Sequence, residues 1–298
     1  MKSSFARFCA IVCLATFGLA SSASAELIYG VAAVGNATSL VTWDSGSPNN
    51  LISGNFVSGL QVNETLVGID YRPATGQLYA LGTSSRLYTV NPANGAATEV
   101  PPPGAFTPAL NGFSFGFDFN PVIDRIRTVA ETNSNMVLNP NDGSATAFTN
   151  LFYGPADPNF GVDPNVVHSA YTNNFAGAQA TQLYGVDTFL NILVTQANNA
   201  GTLGTVGPLG IDVGALGGFD ISGTTGTAYA AMLPAGTSVS EFYSINLATG
   251  LATPLGVVDG GLIITAMTVA PRVIPEPATL GMTAFALIGG LSFRRRSA

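Results

Sequence analysis

The chain is poor in charge and poorer still in reactive side chains. Charged residues make up 9% of its 298 positions, and it has one lysine, one histidine and two cysteines. Lys2, Cys9 and Cys13 all lie near the start, inside the segment read below as a removed leader. The exported chain is therefore expected to carry neither lysine nor cysteine, which excludes disulfides, zinc–thiolate sites, a cysteine nucleophile and Schiff-base chemistry. Basic residues are scarce too. Between Glu26 and Pro277 only Arg72, Arg86, Arg125, Arg127 and Arg272 stand against all 17 acidic residues, a balance of −12. Nucleic acid is a poor partner for such a surface, as are anionic membrane surfaces. Nor does this region show a sustained 3.6-residue hydrophobic period, so few helices are expected.

What the chain does have is 47% hydrophobic residues alongside 35 glycines and 18 prolines. That mixture suits many short strands joined by tight turns and argues against disorder. Its two ends read differently. Lys2 and Arg7 precede an apolar run from Phe8 to Ala20, and Ala23-Ser24-Ala25 has the small-x-small pattern of a signal peptidase site. A signal peptide over 1–25 and a mature start at Glu26 are expected. At the other end Pro275-Glu276-Pro277 leads into a charge-free stretch ending at Phe293, closed by Arg294, Arg295 and Arg296. Ala278 to Phe293 would make about 24 Å of helix, barely enough for a ~30 Å hydrocarbon core. The terminal arginines favour the cytoplasmic side, leaving the rest outside. This arrangement resembles the PEP-CTERM sorting signal of exported bacterial proteins. The resemblance implies an exosortase-type membrane enzyme that processes the tail (272–298), a membrane anchor until then, and often an exopolysaccharide-making host.

Between the two targeting segments the sequence repeats. Gly68-Ile69-Asp70-Tyr71, Gly116-Phe117-Asp118-Phe119 and Gly218-Phe219-Asp220-Ile221 share one pattern, their glycines 48 and 102 residues apart, and Val167-His168-Ser169-Ala170 is a diverged copy. A second element recurs at Leu27-Ile28-Tyr29-Gly30, Gln77-Leu78-Tyr79-Ala80, Asp124-Arg125-Ile126-Arg127, Gln182-Leu183-Tyr184-Gly185 and Thr227-Ala228-Tyr229-Ala230. A third is Arg86–Asn91, Asn135–Asn139 and Glu241–Asn246, followed by the turns Pro92–Gly95, Pro140–Gly143 and Leu247–Gly250. Three or four strands per unit of about fifty residues point to a β-propeller with five blades. The first unit lacks its innermost strand, and Leu262–Val269 at the other terminus is the candidate to supply it. A β-sandwich or an open stack of sheets is the alternative. About 245 residues suit a single all-β domain over 26–271.

Two stretches, Gly116-Phe117-Asp118-Phe119-Asn120-Pro121 through Arg127 and Ala170-Tyr171-Thr172-Asn173-Asn174-Phe175-Ala176-Gly177, resemble a domain of unknown function found in exported bacterial proteins. That resemblance covers nearly all of Leu27 to Pro271 and implies a propeller-like fold outside the cytoplasm, but no activity.

Asp70, Asp118 and Asp220 form the principal polar set. If each ends an innermost strand, their carboxylates would surround one end of the central channel, where calcium or another hard cation binds oxygen ligands. The preferred alternative is structural, with each aspartate accepting hydrogen bonds from turn amides. Asp157-Pro158-Asn159, Asp163-Pro164-Asn165 and Asn141-Asp142-Gly143 lack EF-hand spacing and read as turns. His168 has no Gly-x-Ser-x-Gly elbow to serve. Arg125 and Arg127 could hold an anionic sugar, though pairing with nearby acids is the simpler expectation. The recurring tyrosines suit either sugar stacking or packing between blades, and repetition in every unit favours packing. The resulting expectation is an exported, non-catalytic surface or matrix protein with exopolysaccharide as a candidate partner. The alternative is an extracellular hydrolase or lyase acting on carbohydrate or lactone, using channel carboxylates and a bound cation.

Overall fold

The computed structural model describes residues 25–34 and 37–271, and the repeat elements among them form strands. They gather into five sheets around a common axis, and no α-helix occurs among the described residues. Blade 1 contains β1 (Leu27–Val34), β2 (Ala37–Asp44) and β3 (Ser47–Phe56). Blade 2 is β4 (Leu66–Tyr71), β5 (Leu78–Gly82), β6 (Arg86–Val90) and β7 (Ala97–Glu99). Blade 3 follows as β8 (Phe115–Asn120), β9 (Arg125–Ala130), β10 (Asn135–Leu138) and β11 (Ala145–Ala147). Blade 4 holds β12 (Phe152–Tyr153), β13 (Val166–Tyr171), β14 (Leu183–Asp187), β15 (Ile192–Ala197) and β16 (Thr202–Pro208). Blade 5 is β17 (Val213–Ile221), β18 (Ala228–Pro234), β19 (Glu241–Ile245) and β20 (Ala252–Val257). The last strand, β21 (Ile264–Val269), returns to blade 1 and pairs with β1, Ile28 opposite Val269. The ring thus closes with one sheet built from both chain ends, as the missing first strand of the repeat predicted. Blade 4 departs from the pattern: β12 adds a fifth strand, parallel to β16 on the outer edge.

The turns explain part of the repeat. Gly95, Gly143 and Gly250 all have positive φ, between 67° and 84°. Each donates its N–H to the carbonyl of the asparagine four residues earlier, at 2.8–2.9 Å. The side chains of those asparagines, Asn91, Asn139 and Asn246, accept the N–H two residues on. An asparagine that closes an Asx turn and a glycine free to adopt the left-handed conformation end the third strand and start the fourth.

Packing is between blades. Five apolar clusters form, one at each junction, so no blade has a core of its own. Trp43, fully buried, packs edge-on against Phe242 across the junction of blades 1 and 5. The recurring tyrosines all join these clusters. Tyr29 meets Tyr71 of blade 2, Tyr79 meets Phe119 of blade 3, Tyr184 lies against the core shared with blade 5, and Tyr229 against that shared with blade 1. Blade 3 carries Arg127 at the corresponding register. Its guanidinium bonds Asn135 and Asn199 and lies over the Phe148 ring, so the expected pairing with acids is not what holds it. Arg125 donates to the backbone oxygen of Asp124. The ion pair of this region is instead a partly buried one between Arg72 of blade 2 and Asp124 of blade 3, supported by Asn141.

Candidate functional site

The five innermost strands, β21, β4, β8, β13 and β17, run in one direction along the axis, so matching positions form layers. One layer is Thr268, Asp70, Asp118, Ala170 and Asp220. These residues lie opposite Tyr29, Tyr79, Arg127, Tyr184 and Tyr229 on the second strands. The three aspartates come together as the repeat implied: one oxygen from each lies within 4.8 Å of the others, and each residue is 1% exposed.

Their partners differ from the expected turn amides. Asp70 accepts the N–H of Phe119 at 2.8 Å, Asp118 that of Tyr171 at 2.9 Å, and Asp220 that of Val269 at 2.6 Å. Every donor belongs to the innermost strand of the next blade. These strands have a buried edge with no sheet partner, and a buried N–H left unpaired costs about 1–3 kcal/mol. The aspartates satisfy that edge and clasp neighbouring blades together. Asp70 and Asp220 also accept the N–H of the residue after them, so five of the six carboxylate oxygens receive a backbone donor.

The glycine of the motif has a matching role. A Cβ at Gly68 would lie 2.5 Å from the Phe117 side chain, at Gly116 2.6 Å from Ser169 Oγ, and at Gly218 2.2 Å from Met267 N. Only glycine lets the inner strands approach closely enough for the aspartate two residues later to reach its amide. Blade 4 carries His168 and Ala170 at these positions, and the clasp between blades 4 and 5 is missing there.

Burial raises the pKa of all three carboxyls above the ordinary aspartate value; the charge of Asp220 adds to the effect at Asp70, and the charges of Asp70 and Asp220 at Asp118. Geometry agrees. Thr268 Oγ1 lies 2.8 Å from Asp70 Oδ1 and 2.9 Å from Asp220 Oδ2, and its single proton serves only one of them. The other contact is a hydrogen bond when the carboxyl brings its own proton. The next layer, Tyr71, Phe119, Tyr171, Ile221 and Val269, is buried as well, so the aspartates are shielded from water at this end.

The opposite end is open. A cavity of about 620 Å³ lies at the starts of the inner strands, bordered by Leu66, Phe115, Gly217 and Thr265 and by loops of blades 1, 2, 3 and 5. It is within the roughly 300–1,000 Å³ range of small-molecule sites. Below it the axis narrows to about 10 Å³ around Gly68, Gly116, His168 and Gly218, room for about one water. Both ring nitrogens of His168 and the hydroxyl of Ser169 have no hydrogen-bond partner among the described residues. Burial pushes the His168 pKa down to about 4, so the imidazole is neutral at ordinary pH. The aspartate layer lies three residues beyond the mouth-lining positions Phe115, Gly217 and Thr265, about 10 Å at strand rise.

The other candidates are local braces. Asp157 accepts from Asn159 and from the backbone and hydroxyl of Thr205, Asp163 accepts from Asn133, and Asp142 from Ser144. Ala25 is described and exposed, whereas Ala23 and the tail residues Pro275, Glu276, Pro277, Arg294, Arg295 and Arg296 lie outside the described residues. Among the described residues no helix is long and apolar enough to cross a membrane. The mouth residues Thr65, Phe113, Ser114 and Leu216 carry no repeated motif, and their only sequence signal is their place in segments leading into inner strands.

The family model described as Domain of unknown function (DUF4394) matches residues 39–268, from β2 to the aspartate-layer residue of β21. The chain belongs to that family. No curated protein matches it. Among solved structures it is similar to TolB from Acinetobacter baumannii, with a TM-score of 0.46 and 11% identity over 83% of this chain and 67% of that one. A second similar structure is a protein of unknown function from Bacteroides thetaiotaomicron VPI-5482, with a TM-score of 0.42 and 11% identity over 77% and 64%. A third is Kuenenia stuttgartiensis hydrazine synthase, with a TM-score of 0.40 and 13% identity over 65% of this chain; the chain spans about half of that protein's length, 49%.

Proposed function

We propose that this member of the family is an exported, non-catalytic propeller of the bacterial surface or extracellular matrix, tethered by its sorting tail until an exosortase-type enzyme processes it. One observation carries the reading: the last described residues lie at the end of the axis opposite the open mouth. β21 runs from Thr265 at the mouth to Thr268 in the aspartate layer, and Ala270 then bonds the backbone of Leu27 beside the start of β1. A tail anchored in a membrane from that end turns the mouth outward, toward matrix polysaccharide. The leader also suits the fold. β1 begins at Leu27, and the Glu26 side chain is tied to Ser222 and Thr225 of blade 5, so cleavage after Ala25 would leave every strand of blade 1 in the mature chain.

A hydrolase or lyase working through channel carboxylates would need them at the mouth. They lie about 10 Å below it, committed to backbone amides, which supports a scaffold role. The same commitment supports a metal-free aspartate layer, with calcium as the competing occupant. Replacing Pro275-Glu276-Pro277 by alanines is expected to leave export intact and to block processing, so that the variant stays membrane-bound at higher apparent mass. Unchanged mobility and release in a fractionation experiment would refute the sorting role.

A further inference from the structure

We infer that the open mouth is a binding site for an uncharged saccharide. The inference deepens the binding role proposed above by naming its site and ligand class. Among the described residues no lysine, arginine or histidine lines the cavity, so a phosphate or uronate would find no counter-charge there. Glu64 is the one ionisable group among the described lining residues, and its carboxylate is already occupied by Tyr88 Oη at 2.5 Å, by the Ser84 and Gln61 amides and by the Ser84 hydroxyl. A cation would therefore find no free acid. A wholly apolar ligand fits poorly for a different reason: the hydroxyl-bearing residues Thr38, Thr65, Thr83, Ser114 and Thr265 are part of the wall.

Neutral hydroxyls alternating with apolar surface match a sugar, whose ring has a polar rim and a C–H face. Phe113 supplies a surface for that face. It stands on the rim, 92% exposed, although the Glu131 carboxylate holds the amides of Phe113 and Ser114 in place. A large aromatic ring left in water on a tethered loop costs solvation and gains nothing in the free protein. At the floor, the unpartnered His168 and Ser169 groups face an axial cavity with room for one water. That water would relay a hydrogen bond from a sugar hydroxyl to the neutral imidazole.

His168 is the only histidine in the chain, so its imidazole resonances are an unambiguous reporter of the floor. The purified protein would be titrated with cellotriose, mannotriose and galactotriose, with trigalacturonate as the charged counterpart and decanol as the apolar one. At least one neutral trisaccharide is expected to bind saturably and shift the His168 resonances, and trigalacturonate to leave them unmoved. Phe113→Ala should weaken that binding about tenfold while leaving the melting temperature unchanged, because the ring stacks only on the ligand. The proposal is overturned if no neutral trisaccharide binds, if trigalacturonate binds as well, if decanol alone moves the resonances, or if Phe113→Ala binds as tightly as the parent. None of these outcomes depends on export or tail processing, so this site and the sorting role fail separately.

Discussion

The two ends of the axis make the informative comparison. The closed end carries the repeated Gly-x-Asp motif, three carboxyls and every feature that suggests a metal or catalytic centre, yet its oxygens are committed to holding blades together. The open end carries no motif and no free charge, yet it is the end a ligand can enter. In a ring of similar blades, a residue that recurs in each unit answers a need that recurs in each unit, which here is the unpaired edge of the inner strand. A ligand site breaks the symmetry, and so it is assembled from residues that do not repeat.

The comparison is tested most severely at the closed end by Gly218→Val. The branched side chain would meet the Met267 amide at the junction where β21 closes the ring, and we expect a loss of about 3 kcal/mol or more in denaturant unfolding. Near-normal stability would show that the inner strands have slack and that the motif glycine is not a packing requirement.

Removing a clasp should cost less. Asp220→Ala strands the Val269 and Ile221 amides and the Thr268 contact, for an expected loss of about 1–3 kcal/mol. Asp118→Asn keeps the single acceptor that Tyr171 uses and should be close to neutral. If calcium holds the three carboxyls instead, the Asn variant would be the damaged one, and EDTA would lower the melting temperature of the parent but not of Asp118→Asn.

The smallest effect is in pH. Burial raises the carboxyl pKa values in the fold, so the folded state binds these protons more tightly than the unfolded chain. Their contribution is complete below the unfolded aspartate value of 3.8 and is lost as pH rises through the folded values. His168, pushed down to about 4 from 6.5, acts oppositely: stability is lost as pH falls between those values. Comparing the parent with Asp118→Asn cancels the histidine. The Asn variant should gain on the parent as pH is raised from about 4, and a parent that instead gains on the variant would mean that the layer is ionised and compensated.

Much of the fold was legible because it is local. Alternating strands, Asx-Gly turns at Asn91–Gly95 and Asn246–Gly250, and a unit of about fifty residues need only neighbours in sequence, and the absent first strand of blade 1 pointed to its replacement near Leu262–Val269. The tyrosines could be assigned to packing because they recur. What escaped depends on partners far away in sequence: Asp70 meets Phe119, Asp118 meets Tyr171, and Arg127 replaces a tyrosine by drawing on Asn199 of another blade. The fifth strand β12, two residues long, has too little pattern to be seen before it pairs.

The sequence by itself pointed to five blades and to the way the ring closes, because strand periodicity and turn residues act within a unit. Only the tertiary structure decided that the aspartates point at amides and that the mouth is neutral and open. Both depend on the register between inner strands from different blades, which is set by side-chain packing at five junctions and by no residue alone.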